Sequence, residues 1–135
     1  MIIVPLAEEH AAGLRAVLDS VACRRPHFLA LADGAPVGWC DVVEKPRGAL
    51  RHSGVLGMGV LAAHRGRGLG GALLRRTLDD AREKGFTRVE LTVRVDNERA
   101  RKLYEKHGFQ VEGLCRRHMR VRGAYYDSHL MAWLA

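Results

Sequence analysis

The chain has 135 residues, of which 47% are hydrophobic and 27% charged, with a formal net charge of +7. That length is one ordinary domain able to bury roughly two thirds of its unfolded surface, and the balance excludes a disordered or fibrous chain. The positive charge attracts phosphate-rich partners in general, so it narrows the function only in company with a site.

Residues 2–6 read as a first short strand, too short for a signal peptide or membrane span and followed by Glu8 and Glu9, so the cytoplasm is the expected compartment. From Glu8 to Cys23, Ala11, Leu14, Val17, Leu18 and Val21 recur at the spacing of a helix that buries one face. Phe28–Ala32 and Val37–Val43 form a hairpin around Asp33, Gly34, Ala35 and Pro36, and Lys45 to Arg51 is a loop. Ser53–Leu61 is a further strand leading into a glycine-rich stretch. The helix beyond it turns Leu69, Leu73, Leu74, Leu78 and Ala81 inward and stops at Gly85.

Arg88–Val95 alternates, with Val89, Leu91, Val93 and Val95 on one side. Asp96 and Asn97 can cap a helix whose inner face is Ala100, Leu103, Tyr104 and His107, closed by Gly108. Phe109–Cys115 and Tyr125–Trp133 follow as strands around a turn near Arg122 and Gly123. The strand and helix alternation over residues 53–115 calls for parallel neighbours with right-handed crossovers, and the terminal hairpins make the sheet mixed. The expected class is α/β or α+β in a single domain spanning 1–135. Cys23, Cys40 and Cys115 form no Cys-x-x-Cys pair and the seven histidines are scattered, so neither a disulfide framework nor a metal is expected.

The chemistry concentrates in His64-Arg65-Gly66-Arg67-Gly68-Leu69-Gly70-Gly71, between a strand and a helix. Glycines admit a ligand close to the backbone, and the free N–H groups of a first helical turn face it with the positive end of the helix dipole. A pyrophosphate fits there; close packing of the helix is the alternative use of the same glycines. The glycine order and three preceding strands exclude a dinucleotide fold, and no Gly-Lys-Ser/Thr exists for a Walker loop. A second basic cluster, Arg116, Arg117, Arg120 and Arg122, lacks the interleaved aromatics of a single-strand nucleic-acid binder.

Arg65, Gly68 and Gly70, followed by Asn97 to Phe109 with Tyr104 inside it, resemble the two signatures of the GCN5-related N-acetyltransferase (GNAT) family. The resemblance runs from about Gly54 to the C-terminus, and Ile2 to Glu9 is similar to the family's first strand. Arg51-His52 and Gly123-Ala124-Tyr125-Tyr126-Asp127 resemble the branch that acetylates small amines, including free amino acids and phosphinothricin.

The resemblance implies a mostly antiparallel mixed sheet with two splayed parallel strands, and acetyl-CoA as co-substrate. By position, Met58, Gly59 and Val60 would line the pantetheine, with an N–H there stabilising the oxyanion by roughly 3 kcal/mol. Arg65, Gly66, Arg67, Gly68, Leu69, Gly70 and Gly71 would hold the diphosphate, with Asn97 near the pantetheine. Tyr104 corresponds to the proton donor to the leaving thiolate. Full transfer from a phenol to a thiolate is uphill by about 2 kcal/mol, so hydrogen bonding is its expected role.

An alkylammonium acceptor costs about 5 kcal/mol to deprotonate at neutral pH. Among His52, Glu44 and Asp41, His52 is the expected base, since histidine ordinarily titrates near neutrality. Roughly fifteen residues separate the first two strands, room for one helix where the family often has two. That leaves the acceptor pocket open or completed by a partner subunit. The implied function is acetyl transfer to a primary amine of a small molecule, such as an amino acid, or of a peptide N-terminus; a catalytically silent CoA-binding module and a nucleic-acid-associated protein are the alternatives.

Overall fold

The computed structural model describes residues 2–5, 25–46 and 48–135; the helix expected over 8–23 and Cys23 lie outside the described residues. The strands are β1 (Ile2–Pro5), β2 (His27–Ala32), β3 (Ala35–Glu44), β4 (Ser53–Val60), β5 (Arg88–Arg94), β6 (Gln110–Val121) and β7 (Ala124–Leu134), with helices α1 (Leu69–Glu83) and α2 (Glu98–Lys106). They form one sheet in the order β1-β2-β3-β4-β5-β7-β6. Every neighbouring pair is antiparallel except β4 and β5.

Two tight turns set the hairpins. Asp33 (φ 51) with Gly34 (φ 79), and Arg122 (φ 51) with Gly123 (φ 81), both take the paired left-handed conformation that matches the twist of two-residue hairpins. The first turn is therefore shorter than the expected four-residue connection, and Ala35 and Pro36 join β3. The second keeps β6 paired with β7 out to Val121↔Ala124, well beyond Cys115. The basic stretch thus belongs to a strand. An irregularity between Cys115 and Met119 interrupts it, with Arg117 at φ 51 donating its N–H to the Asp127 carboxylate at 2.8 Å.

Because a two-residue turn forces β6 and β7 to be neighbours, only one of them can lie beside β5. It is β7, paired from Arg88↔Leu134 to Arg94↔Ser128. β6 sits at the sheet edge, so the strand following α2 is not the parallel neighbour that alternation predicted.

The core follows helical and strand periodicity. Leu69, Leu73, Leu74, Leu78 and Ala81 of α1 are all buried, against Cys40 and Val42 of β3 and Leu56 of β4. Each such leucine contributes roughly 1.5–3 kcal/mol through water exclusion. Val89, Leu91 and Val93 of β5 are buried as their alternation requires, whereas Val95, just past the strand, is 39% exposed. Gly85 (φ 88) follows the C-cap of α1, and Asn97 caps α2 by accepting a hydrogen bond from Ala100 N–H at 3.2 Å. Among the described residues, no helix is long and apolar enough to cross a membrane, and no group of His, Cys, Asp or Glu could hold a metal ion.

Candidate functional site

The parallel pair is short. β4 and β5 share only Ser53↔Arg88, Gly54↔Val89 and Val55↔Glu90, after which β4 continues beside β3 alone. The paired end is held by the His52 carbonyl, which accepts from Thr87 and Arg88 N–H at 3.0 and 3.3 Å, and by the Lys45–Glu90 and Arg88–Glu112 ion pairs at 2.6 and 2.7 Å. Beyond Val55, alternate backbone groups of β4 face a gap where a neighbouring strand would normally be. Met58, Gly59 and Val60 lie along it.

At the open end, β4 turns into the glycine-rich loop. Arg65 Nε donates to the Val60 carbonyl at 3.0 Å, pinning the loop to the strand. Gly66 (φ 79) and Gly68 (φ 78) are left-handed, and a side chain at Gly68 would meet nothing within 4 Å. Gly68 is the N-cap of α1, and among the described residues the N–H groups from Gly66 to Gly71 find no backbone carbonyl. Arg99 of α2 reaches the same place, its Nη2 lying 3.3 Å from where a Gly66 side chain would begin. Arg65, Arg67 and Arg99 are all exposed around these amides. Open N–H groups, a helix N-terminus and three guanidinium groups together present the chemistry that attracts an anion such as a diphosphate.

The loop's other glycines answer to packing. A side chain at Gly70 would approach Leu103 Cδ2 at 3.4 Å and Met58 Cε at 3.5 Å, and one at Gly71 the His107 ring at 3.4 Å. They let α1 and α2 approach each other. His107 is oriented by Nδ1–H donating to the Leu103 carbonyl at 2.9 Å.

Tyr104 lies on the inner face of α2, edge-on to the Phe109 ring at 5.7 Å. Burial, reinforced by nearby Cys40, raises its phenol above the ordinary value of 10.0. The Cys40 thiol is itself pushed up to about 12 by burial, despite a hydrogen bond with Thr77 that acts the other way. Both groups keep their protons at neutral pH. Asn97 uses its side-chain oxygen to cap the same helix, about two turns before Tyr104.

The opposite face of the sheet from α1 carries a cavity of about 810 Å³ that sequence patterning did not reveal. Trp39 forms part of it, its indole lying across Gly57 and Gly59: side chains there would meet it at 3.1 and 2.7 Å. Asp41, 4% exposed, pairs with Arg25, and His27 stands beside them. Arg65 lines the same cavity, which therefore runs from the charged pair to the glycine-rich loop. The missed signal was register: Trp39↔Gly59 and Asp41↔Gly57 matter only once β3 and β4 are paired. The expected base, His52, is exposed and precedes the paired end of β4, roughly 20 Å of strand from Met58. Glu44 accepts from Arg51 Nε at 2.8 Å.

Burial, with the Arg25 charge adding to it, lowers His27 from 6.5 to about 4. The unfolded chain therefore binds this proton first. Stability contributed by neutral His27 is complete above pH 6.5, declines as pH falls through that window and is gone below about pH 4. Allowing for the partly exposed ring, the loss is about 1–2 kcal/mol. His27→Gln is expected to flatten the stability profile between pH 6.5 and 4 in urea unfolding, and an unchanged slope would contradict it.

A family model described as the Acetyltransferase (GNAT) family matches residues 6–109. The chain is 36% identical over 108 residues to the L-amino acid N-acetyltransferase AaaT of Escherichia coli K12, covering 78% of this chain and 65% of that protein. It is 42% identical over 106 residues to the N-alpha-acetyltransferase RimI of Mycobacterium tuberculosis H37Rv, covering 78% and 64%. The chain spans slightly less than two thirds of the length of these relatives. A crystal structure of an acetyltransferase of the GNAT family from Streptococcus pneumoniae superposes with a TM-score of 0.88 at 25% identity, over 99% of each chain.

Proposed function

The chain belongs to the acetyltransferase (GNAT) family, and on that premise we propose that it transfers the acetyl group of acetyl-CoA to the primary amine of a small molecule or a peptide N-terminus. The observation that carries the reading is the separation of β4 from β5 after Val55, directly beside a loop whose N–H groups have no carbonyl partners among the described residues. An extended chain ending in a diphosphate matches that pair of features. The relatives named as acetylating amino acids and protein N-termini support the choice of amine.

In this proposal the amides from Gly66 to Gly71, with Arg65, Arg67 and Arg99, hold the diphosphate. Met58, Gly59 and Val60 pair with the pantetheine, and an N–H of this segment donates to the thioester oxygen as charge builds there, lowering the barrier by roughly 3 kcal/mol. The thioester supplies an acetyl group: a nitrogen–carbon bond forms, the carbon–sulfur bond breaks, and the ammonium nitrogen gives up two protons in all, one matched by the proton the thiolate gains and one released to solvent. Tyr104, whose raised pKa keeps its proton in place, donates a hydrogen bond to the departing sulfur. The base role expected at His52 is not retained, because that side chain lies at the closed end of the strand pair.

Calorimetry with coenzyme A, then thiol release from acetyl-CoA with a panel of amines, tests the reading; absence of CoA binding overturns it. Binding without turnover on any amine would indicate a cofactor-binding module instead. Tyr104→Phe is expected to lower kcat by roughly 10–100-fold with little change in KM for acetyl-CoA. An unchanged kcat would reduce Tyr104 to a packing role against Phe109.

A further inference from the structure

The basic stretch at the end of β6 has no use in the acetyl-CoA site. Arg116, Arg117, Arg120 and Arg122 are exposed, and among the described residues none of their side chains pairs with a carboxylate. β5 ends where Arg94 faces Ser128, with one further bond from Val95 N–H to the Asp127 carbonyl, so β6 and β7 run on from Met119↔Tyr126 as a two-stranded ribbon. The stretch itself contains no aromatic residue; pairing supplies one, because Arg120 lies opposite Tyr125. Between Cys115↔Ser128 and Met119↔Tyr126, three residues of β6 stand against Asp127 alone, and Arg117 in this bulge takes φ 51. That conformation is costly for a side chain of its size, and the hydrogen bond from Arg117 N–H to Asp127 Oδ1 offsets the cost. The Arg117 guanidinium lies over the Tyr125 ring at 5.0 Å, and that of Arg120 at 5.4 Å. Tyr125 is still 52% exposed.

We propose that this ribbon is a docking arm for single-stranded RNA, its arginines on the phosphates and a base stacked on the surface that Tyr125 makes with Arg117 and Arg120. All four cations are arginine, whose flat guanidinium binds phosphate as a fork and also stacks on rings. Flat tyrosine and arginine surfaces are what unstacked bases use, whereas the carboxylates of an acidic peptide would use the charge alone. A duplex hides the faces of its bases and would leave Tyr125 idle, while RNA loops and ends present theirs splayed out. The ribbon is separate from the diphosphate seat, which draws Arg65 and Arg67 from the glycine-rich loop and Arg99 from α2. The two anion-binding surfaces therefore make distinguishable demands on the chain.

Fluorescence anisotropy of the intact protein with a labelled oligouridylate of about 20 nucleotides, longer than a typical single-strand site, reads the proposal. The logarithm of the binding constant is expected to fall with the logarithm of salt concentration at a slope of about −3, the value for roughly four neutralised phosphates on a single strand. Arg120→Ala combined with Arg122→Ala is expected to weaken binding at least about 10-fold and to make the slope shallower by about 1. Tyr125→Leu is expected to weaken it at least about 5-fold with the slope unchanged, and Tyr125→Phe to stay within about 2-fold of wild type. Calorimetric binding of coenzyme A is expected to be the same in all of these variants, which shows that they fold. No RNA binding at about 50 mM salt overturns the proposal. So does displacement of the RNA by coenzyme A, which would place it on the seat at the start of α1. Equal binding of an RNA duplex or of polyglutamate, with no loss in Tyr125→Leu, overturns it too and leaves a surface for polyanions in general. Failure of the wild-type protein to bind coenzyme A is a separate result that bears on the acetyltransferase reading alone.

Discussion

Gly68→Val is expected to weaken coenzyme A binding by about 100-fold or more while the protein stays folded. Gly68 holds φ 78 and ψ 5 as the N-cap of α1. A β-branched residue in that conformation costs roughly 1–3 kcal/mol, and no neighbour lies within 4 Å to add a steric clash with the protein. That strain is small against a typical folding margin of about 5–15 kcal/mol.

The effect on the ligand is larger. Relief of the strain turns the amides of Gly68 and Leu69 away from the seat, and the isopropyl group occupies the open space in front of them. Two charge-assisted hydrogen bonds, each worth about 1.5–3 kcal/mol, are thereby lost, which is about 3 kcal/mol or more and hence the 100-fold change. Gly68→Asn tolerates the left-handed conformation and is expected to lose less affinity, which separates backbone orientation from blocked space. Calorimetry reads both. Wild-type affinity in Gly68→Val would remove the diphosphate seat from the account.

Leu73→Ala is expected to destabilise the ligand-free protein by about 2–5 kcal/mol. Leu73 is fully buried on α1, and its Cδ1 methyl packs where β3 has only Gly38: a side chain on that glycine would meet it at 3.1 Å. Truncation leaves a void that the sheet cannot close, because the neighbouring Leu69, Leu74 and Cys40 are already packed against one another. At this chain length a loss of about 3 kcal/mol lowers Tm by roughly 10 °C. The same helix opens with the diphosphate seat, so coenzyme A affinity falls as its first turn loosens. Arg75→Ala, on the exposed side of α1, is expected to stay within about 0.5 kcal/mol of wild type. A Tm for Leu73→Ala within about 2 °C of wild type would show that α1 is not anchored where it packs on β3.

Much of the site was readable where one segment carries both the signal and its use. The loop from Arg65 to Gly70 requires glycine at positive φ, which is visible in the residues themselves, and Asn97 marks the start of α2 through its own side chain. The two uses of the loop's glycines were not separable in advance. Gly66 and Gly68 leave their amides open, while Gly70 and Gly71 make room for Leu103 and His107 of a helix nearly thirty residues further on. His52 was a reasonable base by residue type, but its place at the closed end of the parallel pair follows from Ser53↔Arg88, a contact between distant segments.

By itself the sequence determined the local periodicities: the buried stripe of α1, the alternation of β5, the helix stops and caps, and the glycine turn that opens α1. These rest on 3.6-residue and two-residue repeats and on backbone conformations that few residues adopt, so they need no knowledge of what lies opposite. The tertiary structure alone decided that β7 separates β5 from β6, that β4 leaves β5 after Val55, and that Trp39, Asp41 and Arg25 meet in one cavity. Those outcomes depend on register between strands far apart in the chain. A shift of one residue would turn Trp39 and Asp41 to the α1 face, so no pattern confined to a single strand could have announced them.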